Sequence, residues 1–504
     1  MVTRPPTRHW PALAAVLPAA FMDTVDVSIV NTALVRIQRD LGASGDIGQW
    51  VVAAYALCFA ITLVAGGRLG DLVGRRRMLL AGVGGFVAAS ALAGAAATPA
   101  MLIAARGAQG LFGGIMVPQA MSVITTRFPA GRRRATALSL TGLVLGVATV
   151  SGPLIGGLLV SADVGGLGWR AIFYVNVPVG LAAMVAGWRW IPPDGRAGDR
   201  RPGRRDALGV VLLAAASLLL IGPLVEGRAL GWPPWLVGAL LLSAPALAVF
   251  ARHERRRERR GEVVLVPAHL LRRRCFSTGT ALTAVVMSGT TCLLLTLTWG
   301  LQGGLGWTPM HTALTTLALP LGIGCTSQLT NWHGHAAGRR FVGLGAAVMA
   351  AGLLALMAAV STAEDATRSR DVMPWLFVTG VGMGMIIPLL PHISMREVPN
   401  GDAGAASGVF NSAGQLGAAL GAAVAGLIFF AGGPHGPSAA MHAVAHTLGY
   451  NIAALVLVAG LARLLPPDDA APRPPAGPVP TSHPGGRTEA GGHSAEGGSS
   501  RPAR

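Results

Sequence analysis

Apolar runs of about twenty residues recur along the whole chain, near 11–35, 47–70, 78–98, 101–126, 135–160, 171–191, 207–226, 233–251, 276–301, 310–331, 341–361, 373–394, 404–432 and 443–465. A helix of about 20 apolar residues crosses roughly 30 Å of hydrocarbon. Fourteen such runs predict an all-α, multi-pass membrane protein with fourteen transmembrane helices. Composition agrees: 52% of the 504 residues are hydrophobic and 12% are charged, against roughly 25% charged in a soluble domain. The first run has the basic flank of a signal peptide, but its apolar pattern continues past Asp26 to Leu34 without a stop. It reads as a first spanning helix.

The net charge is +18, and all 40 basic residues are arginine. In a soluble protein that excess would point to nucleic acid. Here the arginines gather in short turns between apolar runs, so no nucleic-acid partner is expected. They alternate with the turns. Arg75–77, Arg132–134, five arginines between 196 and 205, nine between 252 and 274, Arg339, Arg340 and Arg396 lie in even-numbered connections. Odd-numbered connections hold Arg36, Arg39, Arg228, Arg368 and Arg370. By the positive-inside rule the arginine-rich side is cytoplasmic, and both termini with it. The absence of lysine also removes the residue that a Walker A loop places on phosphates, so an ATPase site is excluded.

Two longer connections, "PPDGRAGDRRPGRRD" (192–206) and "RHERRRERRGEVVLVPAHLLRRR" (252–274), bracket the helix pair at 207–251. They divide the chain into a six-helix bundle (1–191), linkers with a two-helix insert (192–274) and a second six-helix bundle (275–465). The Pro-, Gly- and Ser-rich tail (466–504) has almost no apolar cluster and is expected to be disordered on the cytoplasmic side. "DLVGRR" (71–76) and "HAAGRR" (335–340) follow the second span of each half. Matching positions support a duplication of halves.

No cofactor or metal is expected. Cys58, Cys275, Cys292 and Cys325 sit in or at the ends of apolar runs without metal-ligand spacing, as buried inert thiols do. "GAQGLFGG" (107–114) resembles a nucleotide loop but lies inside a membrane helix with no strand before it. No HExxH or GxSxG arrangement stands in a catalytic context, so the chain does not read as an enzyme.

Polar groups inside the spans are few. Asp23 and Asp26, three residues apart on one face of the first span, are its only deep carboxylates. An intramembrane charge costs roughly 2.5–3.5 kcal/mol on insertion scales and is a functional hypothesis by default. At about 1.5 Å rise per residue, Asp26 and Arg106 of the fourth span lie at similar depth and can pair. Asp23, Asp26 and Arg106 are therefore proton-coupling candidates, with a static buried ion pair as the alternative. Asn31 and Gln109 are candidates for a substrate cavity, or equally for packing. Gly142, Gly146, Gly152, Gly156 and Gly157 thin one face of the fifth span, and Pro153 can kink it. In "GRLGDLVGRRR" (67–77), Gly67 and Gly74 allow sharp turning and close approach. Asp71, just past a helix end, can pair with Arg75 or Arg76 or face a neighbouring helix N-terminus. Made in one conformation and lost in another, that contact is a latch. Glu226 and Trp232, Trp235, Trp299, Trp307 and Trp375 stand at span ends, where interfacial anchoring is expected.

These stretches resemble the fourteen-helix drug–proton antiporters of the major facilitator superfamily over roughly residues 10 to 465. "GRLGDLVGRRR" is similar to the signature loop between helices two and three. "DVSIVNTAL" (26–34) resembles the first-helix motif, "RGAQG" (106–110) the fourth-helix arginine motif, "GLVLGVATVSGPLIGGLL" (142–159) the fifth-helix antiporter motif and "WRAIFYVNVPVG" (169–180) the sixth-helix motif. The resemblance implies a major facilitator fold, alternating access, a signature loop that holds the outward-facing state, and proton-coupled efflux of small amphipathic drugs. A dedicated exporter of one endogenous metabolite, or a membrane sensor, is the alternative. The implied partners are the substrate, protons and the lipid of the cytoplasmic membrane, with the protein a monomer. Three departures stand out: Val35 replaces the proline that ends the first-helix motif, His335 replaces the acidic residue of the second-half loop, and the later half has no counterpart of Gly152–Pro153.

Overall fold

The computed structural model describes residues 10–42, 45–128, 132–192, 206–262, 264–333, 338–399, 402–432 and 436–465. The tail beyond 465, residues 193–205 of the first long linker and the turn bearing His335 lie outside the described residues. What is described is helical, without a β-strand. The first half comprises α1 (Leu13–Asp40), α2 (Gly45–Val73), α3 (Arg75–Gly94), α4 (Pro99–Arg127), α5 (Arg132–Ala162), α6 (Ala171–Tyr174) and α7 (Asn176–Trp190). Then come α8 (Ala207–Glu226), α9 (Pro234–Arg259) and the single turn α10 (Ala268–Leu271). The remainder is α11 (Arg274–Thr298), α12 (Pro309–Thr316), α13 (Ala318–His333), α14 (Gly338–Ala363), α15 (Ser369–Ile386), α16 (Leu389–Met395), α17 (Ala403–Phe429) and α18 (Pro437–Ala462).

Local chemistry sets many of the ends. Thr98 caps α4 by accepting from Met101 N, with Pro99 in the first turn, and Thr308 caps α12 from His311 N before Pro309. A proline in the first turn lacks only an N–H that would be unpaired there. Gly74 separates α2 from α3 at φ 109°, a backbone region that side chains disfavour.

Twelve helices among the described residues are long and apolar enough to cross a membrane. The other two apolar runs are helical as well. Run 47–70 lies in α2, and run 310–331 is divided between α12 and α13 at Leu317. One expected interfacial group sits elsewhere. Trp299 is 3% exposed, inside a π-helical turn (Trp299–Gly304) that packs its ring on Phe429 and Phe430. It belongs to the core because that widened turn points the indole inward. Glu226 accepts from Trp50 Nε1 and so ties α8 to α2.

Helices α1 to α7 pack among themselves, with α4 against both α2 and α3, and α1 against α5 and α7. Helices α11 to α18 do likewise, through α11 on α17 and α15 on α13 and α14. The two groups meet where α2 lies along α17 and α5 along α12, and α8 rests on both α2 and α17. Small residues make such approaches possible: a Cβ at Gly110 would lie 2.1 Å from the Tyr55 carbonyl, and one at Gly421 2.1 Å from that of Ser288.

On the side away from the arginine-rich turns the two groups are closed on each other. Gln302 Nε2 donates to Thr32 O at 3.0 Å, and Arg39 Nη2 to Gln302 O at 3.4 Å. The α5 helix shows the asymmetry. Its outer half is pinned, since a Cβ at Gly152 would strike Ser28 Oγ and one at Gly157 would meet Met310 of α12. Towards its arginine-rich end nothing lies within 4 Å of a Cβ at Gly142 or Gly146.

Candidate functional site

Asp26 is fully buried in the middle of α1. A carboxylate in such a place requires a counter-charge and full hydrogen bonding. Both are present. Arg106 Nη1 of α4 reaches Asp26 Oδ2 at 2.5 Å, while Gln109 Nε2 and Asn176 Nδ2 donate to Oδ1 at 2.9 and 2.7 Å. Arg106 is held in turn, its Nε donating to Val51 O at 3.1 Å and its Nη1 to Gln109 Oε1 at 2.9 Å. Gln109 also donates to Ser90 Oγ at 2.8 Å. Five helices (α1, α2, α3, α4 and α7) thus converge on one carboxylate and one guanidinium.

Helical spacing explains the local arrangement. Arg106 and Gln109 are three residues apart on α4, so both face the same neighbour. Close α2–α4 packing at Gly110 brings the aromatic ring of Tyr55 beneath Arg106, with the guanidinium carbon 4.5 Å from its centroid. The Tyr55 hydroxyl then donates to Asp23 Oδ1 at 2.8 Å. Asp23 is half-buried and does not touch Arg106 directly; Tyr55 stands between them.

The candidate residues therefore separate. Asp26, Arg106 and Gln109 form one network. Gln109, expected at a cavity wall, is fully buried, and its amide is committed to Asp26, Arg106 and Ser90. Asn31 is half-buried, and its Oδ1 has no hydrogen-bond partner among the described atoms. Of the fifth-helix glycines, Gly152 and Gly156 seat α5 on α1, Gly157 seats it on α12, and Gly142 and Gly146 face open space. Pro153 lies inside α5. In the signature loop, Gly67 and Asp71 fall within α2, but their surroundings lie outside the described residues. Gly74 makes the turn, Arg75 opens α3, and Arg76 Nη2 donates to Trp188 O. A pocket of about 360 Å³ opens on the closed side among Gln38, Arg39, Trp299 and Phe430.

Sequence reasoning missed Asn176, Ser90 and Tyr55. Asn176 lies in the sixth-helix motif, where a buried amide in a span was a usable signal. Ser90 and Tyr55 carried none, because a lone serine or tyrosine in an apolar run is ordinary.

Comparison with known proteins agrees with the architecture. A profile of the Major Facilitator Superfamily matches residues 16–422 and 281–484. The chain is 40% identical over 430 residues to a probable actinorhodin transporter of Streptomyces coelicolor, covering 84% of this chain and 73% of that one. It is 34% identical to the tetracenomycin C resistance and export protein of Streptomyces glaucescens, covering 84% and 76%. It is 29% identical to the multidrug efflux pump LfrA of Mycolicibacterium smegmatis, covering 85% and 82%. Among solved structures, a bacterial homologue of the human lysosomal transporter Spinster, in an inward-facing and unoccupied conformation, superposes with a TM-score of 0.65 at 17% identity, covering 93% and 100%. That likeness is one of fold. Matched along most of its length and carrying the motifs in order, the chain belongs to the major facilitator superfamily, in its drug–proton antiporter family.

Proposed function

We propose that the protein exports small amphipathic drugs or antibiotics across the cytoplasmic membrane in exchange for protons, by alternating access between two six-helix bundles. The observation that carries this reading is the buried Asp26–Arg106 pair, with Gln109 and Asn176 completing the carboxylate's hydrogen bonds. A proton arriving from outside neutralises Asp26 and loosens its hold on Arg106. Helices α1, α4 and α7 are then free to shift against each other, substrate leaves outward, and deprotonation restores the pair. Asp23, linked to the same guanidinium through Tyr55, is the second carboxylate on this route. With the arginine-rich side cytoplasmic, the conformation described is inward-facing. Asp71 with Arg75 and Arg76 acts as the latch of the opposite state.

On this reading the bundles span 1–191 and 275–465, and 192–274 holds the linkers and insert. Fourteen helices cross the membrane, both termini and the 466–504 tail are cytoplasmic, and the protein works as a monomer without enzymatic chemistry. The names of two relatives, an actinorhodin transporter and a tetracenomycin C resistance and export protein, favour a dedicated exporter of one metabolite as the second reading. Everted vesicles, a panel of labelled compounds and an internal pH dye test both. Uptake of several unrelated compounds with proton efflux supports multidrug exchange, and a single accepted compound supports the second reading. Binding without accumulation of any compound overturns transport, and accumulation without proton movement overturns the exchange.

A further inference from the structure

At the arginine-rich ends of the insert, α8 and α9 bring together three side chains that the export mechanism does not use. Asp206 caps α8, its Oδ1 accepting from Gly209 N at 2.9 Å. His253 and Glu254 lie near the end of α9, and His253 Nε2 is 2.8 Å from Asp206 Oδ1. One ligand atom from each of the three residues falls within 4.8 Å of the others. Asp206 and Glu254 are 7% and 2% exposed, and Asp206 Oδ2 and Glu254 Oε1 accept no hydrogen bond from an N–H or hydroxyl donor. Two buried carboxyl oxygens that face the same space repel each other unless a shared proton or a cation lies between them.

The space itself depends on Gly209. A Cβ there would lie 2.5 Å from Asp206 Oδ2 and 2.7 Å from Glu254 Oε1, so any larger residue would fill the point where the two oxygens converge. Other contacts leave that point open. Glu254 uses its second oxygen on Val266 N at 2.8 Å, fixing the segment that leads towards α11. Arg257 Nε is 3.5 Å from Asp206 Oδ2, an ion-pair contact longer than a hydrogen bond, and its Nη2 is held by Glu262 at 3.2 Å. Glu254 sits in the last turns of α9, where the helix dipole disfavours an anion and favours a cation.

We infer that Asp206, His253 and Glu254 form a binding site for a first-row divalent cation, Zn²⁺ in the test below, that clamps α8, α9 and the Val264–Val266 segment together. Imidazole with two carboxylates suits such ions and does not suit Mg²⁺, which prefers oxygen and water. Zinc takes nitrogen and oxygen ligands at about 2.0–2.2 Å, so small side-chain rotations close the three residues on the ion and leave a fourth position for water. Binding requires a bare imidazole nitrogen, so His253 gives up its contact with Asp206 and the ion takes over both carboxylates.

The test uses the full-length protein in detergent, purified without a polyhistidine tag and stripped with chelator. Zinc uptake by equilibrium dialysis and the melting temperature with Zn²⁺ or Mg²⁺ are measured for the parent, His253→Ala and Glu254→Gln. The expected result is zinc uptake by the parent and a rise in melting temperature with Zn²⁺ but not Mg²⁺, both lost in each variant. Glu254→Gln keeps size and hydrogen bonding, so its fold is the safer control. Equal zinc uptake by parent and both variants overturns the site. So does a parent that ignores zinc and is stabilised only by lowering pH, which would mean that a shared proton bridges the two carboxylates.

Discussion

The corresponding helices of the two halves are built from opposite chemistry. Helix α1 carries Asp23 and Asp26 and leans on Arg106 of α4. Helix α11, the first of the second half, has no acidic residue, and its only arginine is Arg274 at its start. It has hydroxyls instead, and several of them turn back on their own backbone: Thr283 donates to Gly279 O, Thr290 to Val286 O and Thr298 to Leu294 O. Ser288 pairs with the Tyr450 hydroxyl at 2.8 Å. Packing does not separate the halves in the same way, since Gly110 and Gly421 bring helices equally close. A hydroxyl bonded to its own helix has no alternative state of charge, whereas an acid paired with arginine has two. On the proposed mechanism, switching belongs to the first half and the second is the surface it moves against.

The largest expected effect is at the ion pair. Asp26→Asn should abolish proton-driven efflux in everted vesicles while substrate exchange without a gradient partly survives, because Asn cannot release a proton. Arg106→Ala should abolish efflux and also lower folded yield, since removing one partner of a buried pair costs about 3–5 kcal/mol. Combining it with Asp26→Asn should recover yield without recovering efflux. Full pumping by Asp26→Asn, with failure of Asp23→Asn, would move the coupling role to Asp23.

A smaller effect is expected at Asn176. Its amide donates to the buried carboxylate, and losing such a bond costs about 1–3 kcal/mol. Asn176→Ala should lower the melting temperature and slow efflux without uncoupling it. Parent-like behaviour in both measurements would remove Asn176 from the network.

In the second half, Thr283→Val should be nearly silent, because its hydroxyl serves only a carbonyl of its own helix. A transport loss as great as that of Asn176→Ala would erase the contrast between the halves.

The smallest effect lies outside the membrane, where the insert meets the second half. His269 of α10 bridges Glu258 at 2.6 Å and Asp402 at 3.0 Å. Its hydrogen bond to Glu258, chiefly, raises its pKa above the ordinary 6.5, with Asp402 adding to the effect and desolvation opposing it. A raised folded-state pKa means that the contribution is full below about 6.5 and disappears as pH rises through the higher folded value. This histidine is largely exposed, so the contribution is small. Melting curves of His269→Gln and the parent should differ at pH 6 and converge at alkaline pH. Parallel curves at every pH would show the bridge to be inert.

Much of this protein was legible without coordinates because the relevant physics is local. A span needs only an unbroken apolar run, and all fourteen runs are helical. Depth needs only the rise per residue, which puts Asp26 level with Arg106. What the helices turn toward each other is not local. Rotation about a helix axis and close approach at glycines decide that Asn176 and Gln109 complete the Asp26 carboxylate, that Tyr55 separates Asp23 from Arg106, and that Trp299 faces the core. The same holds for Asp206 and Glu254, which are far apart in the chain and look like solvated residues among arginines. Periodicity and composition record what each helix contains, whereas the meeting of one helix's charge with another's is set by the summed packing of all of them. For that reason the spans and charges were determined by the sequence alone, and the partners of those charges by the tertiary structure.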